Sequence, residues 1–306
     1  MTLSADVILD RINLKSKIAK WRLIAIISLV LAALGFINSG EVDSFSDTYL
    51  DHIAYAKIEG FIMEDKERLD SLRKIRDNKA VKALIVYIDS PGGTIVGGES
   101  IYKVIKEIAA AKPVVAVMGG MAASGGYMVA LPAQYIFAYE GTITGSVGVL
   151  LQTAEITELA KKVGVNLITI KTSELKGSPS PFEKMTDNVN KYMQENLHIA
   201  GGVFLNMVKE SRKLSDIELQ EISTGRIYIG REAIKRKLID AIGDDEDAVK
   251  WLKTNGKIAK NLKVKEYELI PEKKGFSKYF SSFAGNNNFM NIFSSGFMTL
   301  WSPTKN

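Results

Sequence analysis

Gly119-Gly120-Met121-Ala122-Ala123-Ser124-Gly125-Gly126-Tyr127 sets one serine among small residues. Upstream, Pro113-Val114-Val115-Ala116-Val117-Met118 is apolar and β-branched, the pattern of a parallel strand covered on both faces. Downstream, Gly125 to Leu131 reads as a short apolar helix that Pro132 stops. Strand, small-residue turn and helix in that order place Ser124 at a helix N-terminus, where unpaired N–H groups and the helix dipole favour developing negative charge. Two roles suit a serine there: the N-cap of a tight packing turn, or a nucleophile.

A second unit of the same kind precedes it. Val81 to Ile88 reads as a strand, Asp89-Ser90-Pro91-Gly92-Gly93-Thr94 as a turn, and Glu99 to Ala110 as a helix. A Pro-Gly-Gly turn outside the C-terminal edge of a parallel sheet can aim N–H groups at one point, which is how an oxyanion hole is built. It also suits an ordinary strand-to-helix connection.

A serine nucleophile needs a base. The chain has only two His, His52 at the entry to the first strand and His198 inside a long helix, and neither sits at a strand end or a Gly-rich turn. A Ser-His-Asp triad is therefore disfavoured. Lysine can replace histidine where burial leaves its amine neutral. The predicted strand Val165 to Ile170 runs into Lys171-Thr172-Ser173-Glu174-Leu175-Lys176-Gly177-Ser178-Pro179, so Lys171 and Lys176 are both candidates.

Several stretches together carry a resemblance: Asp89-Ser90-Pro91-Gly92-Gly93, Ala122 to Tyr127, Gly141-Thr142-Ile143-Thr144-Gly145-Ser146-Val147-Gly148-Val149, and Ser173-Glu174-Leu175-Lys176 followed by Ser180-Pro181-Phe182. Later come Thr224-Gly225-Arg226-Ile227-Tyr228-Ile229-Gly230-Arg231-Glu232-Ala233 and Leu238-Ile239-Asp240. In order and spacing, from His52 to about Lys253, the set resembles the signal peptide peptidase A family in its short bacterial form. The resemblance implies a serine protease with a Ser/Lys dyad on the fold shared by Clp proteases and crotonases. It puts Ser124 on the nucleophile, Lys176 on the general base and Ser146 on a serine that orients that lysine. Gly93 and Gly125 fall on the oxyanion-hole positions. Gly177-Ser178-Pro179 departs from the family's usual residues after the base. The resemblance further implies signal peptides or other unfolded peptides as substrates, and a homo-oligomeric ring.

The expected architecture is α/β: parallel sheets with flanking helices, preceded by one N-terminal transmembrane helix. The strands are predicted at His52–Met63, Val81–Ile88, Pro113–Met118 and Tyr135–Tyr139, and helices at Glu64–Asp77, Gln152–Val163 and Phe182–Lys213. Ser180-Pro181-Phe182-Glu183 carries the start signal of the long helix. Leu23 to Ile37 is an almost unbroken apolar run, with Arg11, Lys15, Lys17, Lys20 and Arg22 before it. The positive-inside rule then keeps the N-terminus cytoplasmic and the rest extracytoplasmic, on a single-pass anchor in a bacterial cytoplasmic membrane. The expected divisions are a basic N-terminus (1–22), an anchor (23–39), a linker (40–51), a catalytic domain (52–272) and a tail (273–306). In the tail, Phe276, Phe280 and Phe283 recur at helical spacing, which suits a membrane-surface or subunit-contact segment and equally packing on the domain's own surface or a disordered stretch.

Composition narrows the chemistry. The absence of Cys removes thiol catalysis and disulfides, and two His without an HExxH pattern support no metal site. No cofactor is called for. A net charge of +5 over 306 residues, with lysines scattered, does not argue for nucleic acid. Three other readings compete: a Clp-fold membrane protease that partners a stomatin-like protein, a crotonase-type acyl-CoA enzyme, and a membrane scaffold without catalysis. The apolar anchor and the pairing of Ser124 with Lys176 speak against the last two.

Overall fold

The structure is a computed structural model that describes residues 17–18, 20–30, 50–270 and the backbone of 298–300. It divides into two units, Met1–Leu50 and Asp51–Asn306. In the first, residues 20–30 are helical, and Trp21, Leu23, Ile24, Ile26 and Ile27 are all exposed. Among the described residues no helix is long and apolar enough to cross a membrane. The second half of the run Leu23 to Ile37 lies outside the described residues, as does the Phe276 to Phe283 stretch.

The second unit is built on a sheet whose main path runs β7-β6-β4-β2-β1-β9. Its strands are β1 (His52–Glu59), β2 (Val81–Ser90), β4 (Val114–Ala123), β6 (Ile143–Gly145), β7 (Ile227–Ile229) and β9 (Lys263–Tyr267). All neighbours on this path are parallel except β6 and β7. The short β3 (Gly92–Thr94) stands apart and is bridged to Ile62. β4 serves two partners. Its first half pairs with β5 (Tyr135–Ala138), which in turn pairs with β8 (Ala241–Ile242), and its second half pairs with β6.

Helices cover both faces, as the near-continuous apolar strands require. On one side α1 (Lys66–Asp77), α2 (Ile95–Ala111) and α3 (Gly125–Ala130) bury Leu72, Ile75, Ile101, Ile105 and Tyr127 against Ile58, Leu84, Val86 and Met118. On the other, α8 (Asp245–Asn255) sets Ala248 and Leu252 against Ile53, Ile85, Val115 and Val117. Capping fixes where helices begin. Asp65 Oδ1 accepts from Arg68 N at 3.0 Å, and Thr94 Oγ1 accepts from Gly97 N at 3.0 Å. α2 thus starts directly from β3, four residues before the predicted Glu99. Between α3 and α8 lie α4 (Thr157–Lys162), α5 (Asp187–Arg212), α6 (Asp216–Ile222) and α7 (Gly230–Lys235).

Four expectations change. The first strand ends at Glu59, because Gly60 at φ 70 turns the chain. Val165 to Ile170 forms no strand: it pairs with no strand among the described residues, and Ile168 and Ile170 are 84% and 95% exposed. The long helix begins at Asp187, not Phe182. Thr186 Oγ1 caps it by accepting from Val189 N at 3.2 Å, while Ser180 closes only a local turn to Phe182 N and Glu183 N. Gln152 to Val163 likewise shrinks to the short α4.

Candidate active site

Ser124 is the N-cap of α3, and its backbone sits at φ 55, ψ −119. Positive φ is costly for a residue with a Cβ and persists only where the surroundings impose it. Here they do. Ser124 N donates to Gly145 O at 2.8 Å, and Ser124 O accepts from Met128 N at 2.9 Å, so the residue is fixed from the sheet side and the helix side at once. β4 runs through Gly119 to Ala123, so the predicted turn is strand up to the serine itself and the chain reverses at one residue. Ser124 is almost fully buried. Its side chain makes no capping hydrogen bond, so it is not there to start the helix. The first N–H groups of α3, from Gly125 onward, have no acceptor within the helix.

The Pro-Gly-Gly turn lies alongside. Gly92 has φ 109, and its N–H is held by Ser90 Oγ at 3.0 Å. A Cβ on Gly93 would meet Ile62 O at 1.7 Å, and one on Gly126 would meet Ser90 O at 2.8 Å. Glycine at these two positions is what lets the turn and the serine helix approach. Ile62 N donates to Gly92 O and Thr94 N donates to Ile62 O, each at 2.8 Å. Because strand residues alternate, the N–H and C=O of Gly93 face the opposite edge.

Ser146 is the second positive-φ serine, at φ 53, immediately after Gly145 at φ 83. Its N–H donates to Arg226 O at 2.9 Å. Thr142 Oγ1 and Thr144 Oγ1 donate to Gly119 O and Ala122 O, each at 2.7 Å, stapling β6 to the strand that ends at Ser124. The later motif now acquires a physical role. Tyr228 packs against Gly145, where a Cβ would meet its ring at 2.8 Å, and Tyr127 Oη donates to Leu238 O at 2.9 Å. Burial pushes the Tyr127 hydroxyl above its ordinary range, keeping it a neutral donor. Asp240 accepts from Ile136 N at 2.8 Å and from Arg212 Nη1 and Nη2 at 3.0 and 2.8 Å. These groups support the site from behind and were legible in sequence only as part of the resemblance.

Lys176 is placed apart. It is exposed, and among the described residues no hydrogen bond joins it to Ser124 or Ser146. The arm that carries it, residues 150–186, bonds mainly to itself: Ile156 N to Pro181 O at 2.9 Å, Val165 N to Ala160 O at 2.9 Å, and Glu174 to Thr186 and Asn188, each at 2.7 Å. Lys171 is engaged by Glu183 and by Ser178 Oγ at 3.2 Å, which leaves Lys176 as the lysine without a carboxylate partner. His52 Nε2 bonds Tyr267 Oη at 2.8 Å in the β1–β9 seam, and His198 is exposed on α5. Neither reaches Ser124 by a hydrogen bond.

The mixed α/β unit on a parallel sheet has a Clp-protease-like fold, and a Clp protease family model matches residues 66–142. The model of peptidase family S49 matches residues 106–259, and the chain belongs to that family. A Methanocaldococcus jannaschii protein provisionally named protease MJ0651 is 38% identical over 205 residues, 67% of this chain and 65% of that protein. A Synechocystis protein provisionally named protease slr0021 is 34% identical over 204 residues, 66% of this chain and 73% of that protein. Protease 4 of Haemophilus influenzae is 33% identical over 207 residues, 64% of this chain and 34% of that protein. The chain thus spans less than two thirds of the first and about a third of the last. A solved structure of the 1510-N membrane-bound stomatin-specific protease, 18% identical, aligns with 72% of this chain and 99% of its own at a TM-score of 0.48.

Proposed function

We propose that this protein is a membrane-anchored serine endopeptidase that cleaves extended peptides at the membrane, remnant signal peptides among them. The observation that carries the reading is Ser124 held at φ 55 on a strand-to-helix reversal, buried, with its side chain unused by the helix cap. In the proposed reaction the Ser124 O–H bond breaks, Oγ bonds the substrate carbonyl carbon, and the Lys176 amine takes the proton. The negative oxygen of the tetrahedral intermediate accepts from Gly93 N and Gly125 N. When the C–N bond breaks, the lysine returns the proton to the leaving amine, and water then hydrolyses the acyl-enzyme. Ser146 orients the amine.

The exposure of Lys176 supports an assembled enzyme in which the arm of one copy meets the serine of the next. In one copy the Lys176 amine makes no hydrogen bond to Ser124, whereas an arm packed against a neighbouring copy would bring an amine to that serine. The bare Ile168 and Ile170 on the same arm are the apolar surface such a contact would bury. A closed homo-oligomeric ring satisfies every arm at once. The cations before Leu23 and the exposed apolar residues at 21–30 support an anchor with the peptidase domain outside.

Fluorophosphonate labelling and digestion of a peptide library, with cut sites mapped by mass spectrometry, test the reading. The wild type should label and cleave. Ser124→Ala should do neither, a loss of at least about 10³-fold, with unchanged thermal unfolding. Comparable hydrolysis by Ser124→Ala would remove Ser124 as nucleophile.

A further inference from the structure

Two neighbouring strands lose step just before Ser124. β2 and β4 pair residue for residue from Leu84 with Val114 to Ile88 with Met118, but the next pair is Ser90 with Ala122. One residue of β2, Asp89, therefore faces three of β4, Gly119, Gly120 and Met121, in a β-bulge. A bulge leaves backbone groups without ladder partners, and those away from water must be met in some other way. Side chains meet them here. Asp89 Oδ1 accepts from Met121 N at 3.0 Å, and Thr142 Oγ1 donates to Gly119 O at 2.7 Å. Glycine makes room for the closure, since a Cβ on Gly119 would come within 2.3 Å of Tyr87 Oη and 3.3 Å of Asp89 Cβ. Asp89 is itself held on its other side, where its carbonyl accepts from Gly60 N at 3.0 Å.

We propose that Asp89 is a positioning residue for Ser124: its side-chain oxygen fixes where the bulge ends, and hence where the serine stands relative to the Gly92-Gly93 turn. The proposal rests on the peptidase reading and adds to it a residue that acts through the backbone and not on the reacting atoms. Met121 is the last residue of the bulge, and only Ala122 and Ala123 separate it from Ser124. Both are strand residues paired with β6, so a displacement of Met121 passes to Ser124 along a stiff segment. In the other direction Asp89 leads into Ser90, whose hydroxyl holds Gly92 N and whose carbonyl lies against Gly126. One side chain thus links the strand that ends at Ser124 to the turn that carries Gly93. The link requires an acceptor at the reach of an aspartate. Charge strengthens such a bond without placing it, because the donor is a neutral amide.

Full-length variants separate reach from charge. Asp89→Asn keeps an oxygen at the same reach, Asp89→Glu keeps the charge on a longer side chain, and Asp89→Leu has no acceptor. With a fluorogenic peptide, Asp89→Asn should keep kcat within about 3-fold of wild type. Asp89→Glu and Asp89→Leu should lose about 10- to 100-fold in kcat at near-constant KM, the effect of misplacing a reacting group by on the order of 1 Å. Fluorophosphonate labelling of Ser124 should slow in the same order. Hydrogen exchange reads the contact without catalysis: the Met121 amide should be protected in wild type and Asp89→Asn, and exchange at least about 10-fold faster in Asp89→Leu. Should Asp89→Leu fail to fold, the Asn and Glu variants still decide. Asp89→Glu as active as Asp89→Asn, kcat retained in a folded Asp89→Leu, or equal Met121 exchange in all the proteins overturns the proposal. If Met121 loses protection in Asp89→Leu while the wild type neither hydrolyses peptides nor labels, the bulge contact stands, but the peptidase reading fails and takes the positioning role with it.

Discussion

The backbone N–H of Ser124 donates to the carbonyl of Gly145 at 2.8 Å, and this bond ties together two turns that each hold a serine at positive φ. The two turns belong to different strands, β4 and β6, so the positions of Ser124 and Ser146 are set by sheet pairing and not by either turn alone. Thr142 and Thr144 reinforce that pairing through buried hydroxyls. The two serines are therefore preorganised on strand ends, whereas Lys176 is carried by the separate arm.

Close approach of Gly126 to Ser90 gives a first expected outcome. Gly126→Ala forces a Cβ to 2.8 Å from Ser90 O, backbone that cannot swing away, and should cost about 1–3 kcal/mol with slower fluorophosphonate labelling of Ser124. Gly201→Ala is the contrast. It lies inside α5 with nothing within 4 Å of the added Cβ, and should stabilise by about 0.5–1 kcal/mol. Chemical denaturation of both variants measures the difference.

Separation of Lys176 from Ser124 predicts complementation. Copies carrying Ser124→Ala supply a lysine and copies carrying Lys176→Ala supply a serine, so each variant alone should be inactive. Co-refolded at equal amounts, random neighbours should restore about one quarter of wild-type activity per chain. Complete inactivity of the mixture, with discrete oligomers still seen by light scattering, would place both dyad residues within one copy.

Arg212 and Asp240 form a bidentate pair in which Arg212 is nearly buried and also donates from Nε to Lys237 O at 2.6 Å. Despite the cost of its burial, the bond to Asp240 holds the guanidinium above its ordinary range. Arg212→Met should strand the Asp240 carboxylate and cost about 3–5 kcal/mol, seen as a fall in Tm on the order of 10 °C. The double variant Arg212→Met with Asp240→Asn should recover part of that loss, because the orphaned charge is gone.

Acid should loosen α6. Lys237, together with the N–H and hydroxyl of Ser215, holds the Glu218 carboxyl down at about 2. A carboxyl depressed in the folded state contributes stability that is complete above its ordinary pKa of about 4.5 and is lost as pH falls toward about 2. Glu218→Gln removes that titration. Its Tm should lie slightly below wild type at pH 6, by less than about 2 °C for so exposed a group, and the gap should close by pH 2.5.

Sequence alone determined what depends on neighbours along the chain. The apolar run before Ser124, the glycines around it and the Ser90-Pro91-Gly92-Gly93 turn specify strand, reversal and helix locally, so the reversal at Ser124 and the glycines beside it were legible before any fold was built. Failures came where local signals competed. Ser180-Pro181 offers a sound helix start, yet Thr186 caps α5, and the β-branched Val165 to Ile170 pairs with no strand among the described residues. Only the tertiary structure decided that the motif from Thr224 to Asp240 is the back wall of the serine site, since its bonds to Ser146, Tyr127 and Ile136 cross some 80 to 110 residues of chain. It also decided that Lys176 stands in solvent, and that Asp89 reaches across to Met121 N. Those are consequences of how distant segments meet, and no periodicity along one segment encodes the partner it will find.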